Sequence, residues 1–400
     1  MAMKKNTIAL EISHKYIKVV FGTVHEGQVL VDLVKKFPIS HLMENGMIKE
    51  KDILIKELSK INPVMDYDYQ VSNLINNVSL ILPPYGLEVY RNKQLTSVIS
   101  SERIINELDI KNIYSIIRNK KLPVDNILVD IIPDVFKIDS GEKFAQAPIG
   151  KVSSAIEATV KVHTLPKRID DEYSDILRKA NILIDRKVVS TFAASELLRS
   201  YKDTPKNYFL IDVGAQSTTV SLIGEGQLFA TRSFSHGGDN ITDKIVSNFN
   251  ISEAEAEKIK IFYGLDKRKL NFDYPVCQTE GDEGTISHNI NELNDIIEGE
   301  LEEFYRTLSV VLDQIASMYQ IENVSSFPLV LIGGGSKLKG FVDFLKGKNK
   351  YDSVTAVSPK VIGARDPSLF ATLGAILVDH KYPNNSVSAN PTNVVVSREE

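Results

Sequence analysis

Apolar residues come in two short runs near the start of the chain, TIALE (7–11) and YIKVVF (16–21), joined at Ile12-Ser13-His14-Lys15. This spacing predicts two strands around a tight turn, with a third strand at Val29–Val34. Ile53, Leu54, Ile55 and Leu58 recur at helical intervals and predict a helix over Lys49–Lys60. Val78–Leu82 is a further apolar run, closed by Pro83-Pro84, so the opening order is β-β-β-α-β.

The pattern then changes. Short apolar pieces at Gln94–Leu95 and Val98–Ile99 precede a predicted helix over Ser101–Leu108. ILVDIIPDVFKI (127–138) and AIEATVKVH (155–163) predict strands, Asp170–Ala180 a helix and Ile182–Val189 another strand. This is a small α+β insert that begins near Pro83-Pro84 and ends near Lys167.

After a helix over Thr191–Tyr201 and a Thr204-Pro205-Lys206 linker, the opening pattern returns. NYFLIDVGAQSTTVSLI (207–223) is strand, turn, strand, and Leu228–Ser233 is a third strand. Glu11 and Asp212 take equivalent places in the two series, which implies an internal duplication. Helices are predicted over Ile241–Phe249 and Glu253–Phe262, and a mobile loop over residues 271–289. A long helix spans Glu292–Tyr319, with Leu293, Ile297, Leu301, Phe304, Leu308, Leu312 and Ile315 on its apolar stripe. Phe327–Ile332 is a buried strand running into Gly333-Gly334-Gly335, followed by helices over Leu338–Leu345 and Ser368–Val378. From Lys381 the chain turns polar, with Pro383, Pro391 and several serines, and is expected to be disordered.

Composition narrows the class. Four hundred residues exceed one compact core, so two or more domains are expected. The net charge of −5 leaves no basic footprint for nucleic acid. A single cysteine, Cys277, rules out an internal disulfide and any cysteine metal cluster. The first apolar run is broken by Glu11 and is too short for a secretion signal. No stretch approaches the roughly 20 apolar residues of a membrane span. A cytoplasmic, multidomain protein is expected.

Four pieces carry candidate chemistry. In the Asp212 turn, Gly214 permits close backbone approach, successive amides from Gly214 to Ser217 can form an anion nest, and Asp212 can hold a hydrated divalent cation. By itself this stretch reads as a plain hairpin. Gly237 and Gly238 stand at a helix start that Asp239 can cap. Glu257 and Lys260 are i,i+3 neighbours that could grip one ligand or simply pair with each other. Gly333, Gly334 and Gly335 exceed what an ordinary strand–helix turn requires.

The order of these pieces, within a duplicated β-β-β pattern, resembles the actin-like ATPase superfamily. SHGGDNITDKIVSNFNISEAEAEKIKIFYG (235–264), IPDVFKID (132–139), PIG with SSAIEATVKVHTLP (148–166) and DPSLFATLGAIL (366–377) narrow the resemblance to the bacterial cell-division family FtsA, over roughly residues 7–380. The resemblance implies an α/β fold of the actin-like (ribonuclease H-like) type, in two lobes with an inserted α+β subdomain. The first lobe would take residues 1–83 and 168–206, with the insert at 84–167. The second lobe would have its core at 207–245 and 328–380, a peripheral helical part at 246–327, and a tail at 381–400.

The resemblance also implies ATP with Mg²⁺ in the cleft between lobes. Gly214, Ala215, Gln216 and Ser217 would hold the β- and γ-phosphates, and Asp212 would act near the metal through water. Ser13, His14 and Lys15 form the facing phosphate turn. Gly237 and Gly238 would lie by ribose and phosphates, Glu257 and Lys260 by adenosine, and Gly334, Gly335 and Ser336 by the base and α-phosphate. Implied partners are further copies in actin-like filaments, other division proteins, and the C-terminal peptide of the tubulin-like FtsZ. The implied location is the inner face of the cell membrane at the division site.

The chain departs from the family in three places. Glu11-Ile12-Ser13-His14-Lys15-Tyr16 replaces a glycine-bearing first turn, and the second turn has Ala215 and Gln216 where the family has glycines. ATP binding with slow or absent hydrolysis is therefore expected. The helix that reads FtsZ has Gly299 and Glu300 where the family has Pro-Arg, and Glu298, Glu300, Glu302 and Glu303 make an acidic face that would repel an acidic peptide. The last twenty residues lack the pattern of an amphipathic membrane helix, so either the natural end lies further on or a partner supplies the anchor. The competing expectations are a sugar or acetate kinase on the same fold, and a pilus-assembly actin-like adaptor.

Overall fold

The computed structural model describes residues 6–39, 42–44, 46–69, 77–266, 273–281 and 284–382. The opening strands are β1 (Thr7–Ile12), β2 (Tyr16–His25) and β3 (Gln28–Pro38), followed by a small hairpin of β4 (Met43–Glu44) and β5 (Met47–Ile48). Helix α1 (Lys51–Tyr69) leads into β6 (Asn77–Leu82). The insert contributes β7 (Glu88–Ser97), α2 (Glu107–Arg118), β8 (Asn126–Ile138), β9 (Lys143–Phe144) and β10 (Ala155–Pro166). The chain rejoins the first lobe with α3 (Lys167–Lys179), β11 (Leu183–Val189) and α4 (Ser190–Arg199).

The second series runs β12 (Tyr208–Val213), β13 (Thr218–Gly224), β14 (Gln227–Phe234), α5 (Gly238–Phe249) and α6 (Glu253–Tyr263). After it come β15 (Pro275–Gly281), β16 (Gly284–Asn289), α7 (Ile290–Met318), β17 (Leu329–Ile332), α8 (Phe341–Gly347), β18 (Val354–Ala356) and α9 (Phe370–Lys381).

The two large sheets repeat one topology: β3-β2-β1-β6-β11 in the first lobe and β14-β13-β12-β17-β18 in the second. In each, the first three strands are antiparallel and the crossover strands join in parallel. The register repeats too. Glu11 stands opposite Lys18, and Asp212 opposite Thr219, each acid one residue from its strand's end. Central strands buried on both faces need apolar residues throughout, as in Ala9-Leu10 and Phe209-Leu210-Ile211. The acids are therefore the first positions at which β1 and β12 reach polar surroundings.

The insert is a separate sheet, β7-β10-β8-β9, with α2 packed on it around Ile113, Ile117, Phe136 and Val160. The helix expected over Ser101–Leu108 instead begins at Glu107. Asn106 caps it, accepting from the amides of Leu108 and Asp109, while Asp109 accepts from the Asn106 amide at 2.9 Å. Before the cap, the Arg103 amide donates to the Ser100 carbonyl in a turn, and Ile104 is bridged to Val152.

Two further expectations are corrected. Within the stretch read as a mobile loop, β15 and β16 pair as an antiparallel hairpin, and His288 stacks on Phe249 of α5 with ring centroids 4.3 Å apart. Helix α9, assigned by sequence to the second lobe, packs its Leu373, Ile376 and Leu377 into the core of the first. Gly374 allows this, because a side chain there would collide with the Ala193 carbonyl of α4. The tail from residue 383 lies outside the described residues. Among the described residues, no helix is long and apolar enough to cross a membrane.

Candidate functional site

The matching turns face each other across a cleft of about 590 Å³ between the lobes. In the second turn the Gly214 amide donates to the Ser217 carbonyl at 2.9 Å. In the first, the Ser13 amide donates to the Tyr16 carbonyl at the same distance, and the Ser13 hydroxyl closes on that carbonyl at 2.8 Å. Serine at this position folds its side chain onto its own turn, which is how the chain tolerates losing the glycine.

Behind the second turn, Gly238 and Asp239 donate their amides to the carbonyls of Gly214 (3.0 Å) and Ala215 (2.8 Å). A Cβ at Gly237 would lie 2.7 Å from the Gly214 carbonyl oxygen, so the start of α5 can rest on the turn only without a side chain. Gly333 has φ +85°, and its Cβ would strike Asp212 Oδ1. Gly334 faces open space within the cleft, while Ser336 is buried and donates to the Gly333 carbonyl at 2.8 Å. Ser336 thus braces the glycine turn and does not line the cleft, and Gln216 does not line it either.

Asp212 lies at the cleft floor. Burial pushes its carboxyl up to about 6, with Lys18 pulling it down and Glu11 adding to the rise. Glu11 pairs with Lys18 at 3.0 Å, and Lys18 also donates to the Ser368 carbonyl at 2.8 Å. One Glu11 oxygen, Oε2, is buried without a partner, as is Nε2 of His14. Burial holds the His14 imidazole below its ordinary range, against the pull of Asp239.

Glu257 and Lys260 pair directly. Lys260 Nζ donates to Glu257 Oε2 (2.7 Å), Thr242 Oγ1 (2.8 Å) and the Gly238 carbonyl (2.9 Å), so all three ammonium protons are committed. Thr242 in turn donates to Glu257 Oε2 at 2.7 Å. Lys260 therefore orients Glu257 and has no proton left for a ligand. Its cation and Thr242 hold the Glu257 carboxyl below its ordinary value although burial opposes them.

Lys15 and Tyr85 reach across the cleft. Lys15 of the first turn lies 2.7 Å from Asp239 and 3.6 Å from Glu257. The Tyr85 hydroxyl, just beyond Pro83-Pro84, is 2.7 Å from Ser217 Oγ. Gly46, at φ +76°, leaves room for the Tyr85 ring. Sequence reading missed Tyr85, Lys18, and the Asp366–Ser368 loop, where Asp366 binds Lys36 at 2.7 Å. The Glu11–Lys18 pair had a sequence signal, since seven residues across a tight hairpin are cross-strand neighbours.

The cleft volume suits a nucleotide-sized ligand, for which pockets of roughly 300–1,000 Å³ are usual. The donor set suits phosphate and a hard cation: turn amides, the Ser217 hydroxyl, Lys15, the partnerless His14 nitrogen and the Asp212 carboxylate.

The sequence model of the family "Cell division protein FtsA" matches residues 209–374, from β12 to within α9. Cell division protein FtsA of Enterococcus faecalis is 27% identical over 380 residues, covering 94% of this chain and 84% of the relative. FtsA of Bacillus subtilis is 23% identical, covering 92% and 81%. The chain is similar to FtsA proteins over most of its length. Solved structures agree on an actin-like fold. The PilM protein of a PilM–PilN type IV pilus biogenesis complex superposes with a TM-score of 0.61 at 19% identity, covering 94% of this chain and 98% of that one. MreB5 of Spiroplasma citri bound to ADP gives 0.54 at 12% identity, covering 94% and 97%.

Compared with the FtsA pattern, the acidic face expected on α7 is not continuous. Glu300 is buried, with His236 at 3.6 Å and Lys244 at 3.8 Å, and burial pushes its carboxyl up. Glu302 pairs with Lys348. Gly299 and Glu303 are exposed, and Glu298 is half-buried. The helical period explains the division: residue 300 falls on the same stripe as Leu293, Ile297 and Phe304.

Proposed function

We propose that this chain is a cell-division scaffold. It binds ATP with Mg²⁺ between its lobes, self-assembles into actin-like filaments and links FtsZ to the cytoplasmic face of the membrane. The observation that carries the reading is the pair of register-matched turns, 13–16 and 214–217, facing one cleft with Asp212 and Glu11 at their roots. The amide of Ala215, the Ser217 hydroxyl and Lys15 would bind the phosphates. Asp212 would hold the cation through water, Glu257 would accept from the ribose, and Gly334 would leave room beside the base. Magnesium, when bound, would neutralise phosphate charge. Lys260 and Thr242 would fix the Glu257 carboxylate, and Ser336 would fix the glycine turn.

Slow or absent hydrolysis follows from the cleft's own groups. Glu11 is engaged by Lys18, His14 is kept neutral by burial, and Ser13 and Ala215 stand where flexible glycines would serve phosphate approach. The FtsZ peptide would use the exposed part of α7 near Gly299 and Glu303, with Glu298 at its margin and Glu300 contributing from beneath.

The test has three arms: ATP affinity by calorimetry, phosphate release with Mg²⁺, and pelleting with ATP and lipid. Affinity with filaments and little phosphate release is the expected outcome. Brisk release abolished by Asp212→Ala would overturn the slow-hydrolysis reading, and sugar-dependent turnover would favour a kinase. A second reading, a pilus-type adaptor, is favoured by the 0.61 superposition with PilM. Binding of the host FtsZ C-terminal peptide, lost when Glu303 is changed, would decide against it.

A further inference from the structure

Lys15 reaches across the cleft mouth. Its ammonium, rooted in the first lobe between β1 and β2, lies 2.7 Å from Asp239 on α5 and 3.6 Å from Glu257 on α6, both in the second lobe. These side chains are only 20–30% exposed, so the ion pairs are partly shielded from water. Asp239 sits on the amide that binds the Ala215 carbonyl, next to the second turn. An anion seated on that turn would therefore compete directly with Asp239 for Lys15.

We infer that Lys15 is a phosphate-exchangeable latch between the lobes, and thereby a determinant of preference for phosphorylated over unphosphorylated nucleosides. The inference rests on the nucleotide reading above and adds a role for a first-turn residue. With no ligand, Lys15 neutralises two second-lobe carboxylates and holds the lobes together. A nucleoside lacking phosphate must compete with Lys15 for Glu257 and offers Lys15 nothing in return. A nucleotide releases Glu257 and gives the ammonium a new anionic partner.

The surroundings sharpen the effect. Asp239, Asp243, Glu253 and Glu257 crowd this part of α5 and α6, and Lys260 is saturated by its own three acceptors. His14, beside Lys15 in the first turn, faces Asp239, and burial holds its imidazole below its ordinary range. Lys260 and Lys15 both offset these acids, and of the two it is Lys15 that reaches them from the opposite lobe.

Two reciprocal substitutions in the full chain test this. Lys15→Gln should speed amide hydrogen exchange across residues 214–217 in the ligand-free protein. It should also lower the ratio of ATP to adenosine affinity by at least about tenfold, the equivalent of one hydrogen bond to a charged group. Asp239→Asn should speed the same exchange but raise that ratio, because it frees Lys15 for phosphate. Unchanged exchange in both variants, or a ratio that moves the same way in both, overturns the latch. Wild-type protein that binds neither ATP nor adenosine refutes the nucleotide reading instead, while the exchange arm still decides whether Lys15 holds the lobes. Matching thermal melts of the variants exclude misfolding as the cause.

Discussion

Gly333 lies so close to Asp212 that a single methyl group on its Cα would run into the carboxylate oxygen Oδ1. The positive φ of +85° compounds the clash, because a side chain is strained there whatever the space. Gly333→Ala should destabilise the protein by about 1–3 kcal/mol and displace Asp212 from the cleft floor. Urea midpoints measure the first effect. Loss of Mg²⁺-dependent stabilisation by nucleotide measures the second, and a variant that kept full Mg²⁺ dependence would show that Asp212 is not the cation's residue.

The raised carboxyl of Asp212 gives a pH dependence of definite sign. Its folded value of about 6 exceeds the ordinary value of 3.8, so the native state holds its proton longer than the unfolded chain does. Stability of the metal-free protein should therefore fall as pH rises between these values. Mg²⁺ binding requires the ionised group and should weaken below about pH 6. Asp212→Asn should flatten both dependences in denaturation series run with and without the metal.

His163 works in the opposite direction. It is buried on β10, its ring centroid 4.7 Å from that of Phe192, and burial pushes its imidazole down to about 3. The unfolded chain takes up a proton near 6.5 that the native state refuses. Stability should decline as pH falls from 6.5 towards 3, at up to roughly 1.4 kcal/mol per pH unit for this group alone. A His163→Gln variant should show a shallower acid limb, and identical limbs would rule out this residue as the cause.

Arg186 joins three parts of the chain. Its guanidinium lies 2.7 Å from Asp130 of the insert and 3.5 Å from Asp379 of α9, and it donates to the Tyr382 carbonyl at 2.7 Å. All three side chains of the ionic cluster are at most 4% exposed. Arg186→Met should cost about 3–5 kcal/mol, since it leaves two buried acids without their cation. Adding Asp130→Asn should recover part of that loss. A single variant as stable as wild type in chemical denaturation would refute the account.

Much of the fold was legible in the chain because strands and helices are written in local periodicity. The duplicated β-β-β series, the insert between the proline pair and Lys167, and the long helix α7 all follow from apolar spacing. The errors came where pairing over distance decides. The Ser101–Leu108 stretch has helical spacing, but a turn at Ser100–Arg103 and the bridge of Ile104 to Val152 interrupt it, and the Asn106 cap sets the true start. The 275–289 hairpin lacks a strong alternation and is fixed by packing on Phe249.

Within the site, glycines and turn residues were readable because backbone geometry leaves few substitutes for them. The sequence by itself determined two matching sheets, the turns at 13–16 and 214–217, and the acids Glu11 and Asp212 at their roots. Only the tertiary structure decided which charges meet. Lys15 crosses to Asp239, Lys260 is fully taken up by its neighbours, Glu300 turns inward, and the last helix caps the first lobe. Electrostatic partners are chosen by distance in space and by exclusion of water, and neither quantity is recorded in the order of residues along a chain.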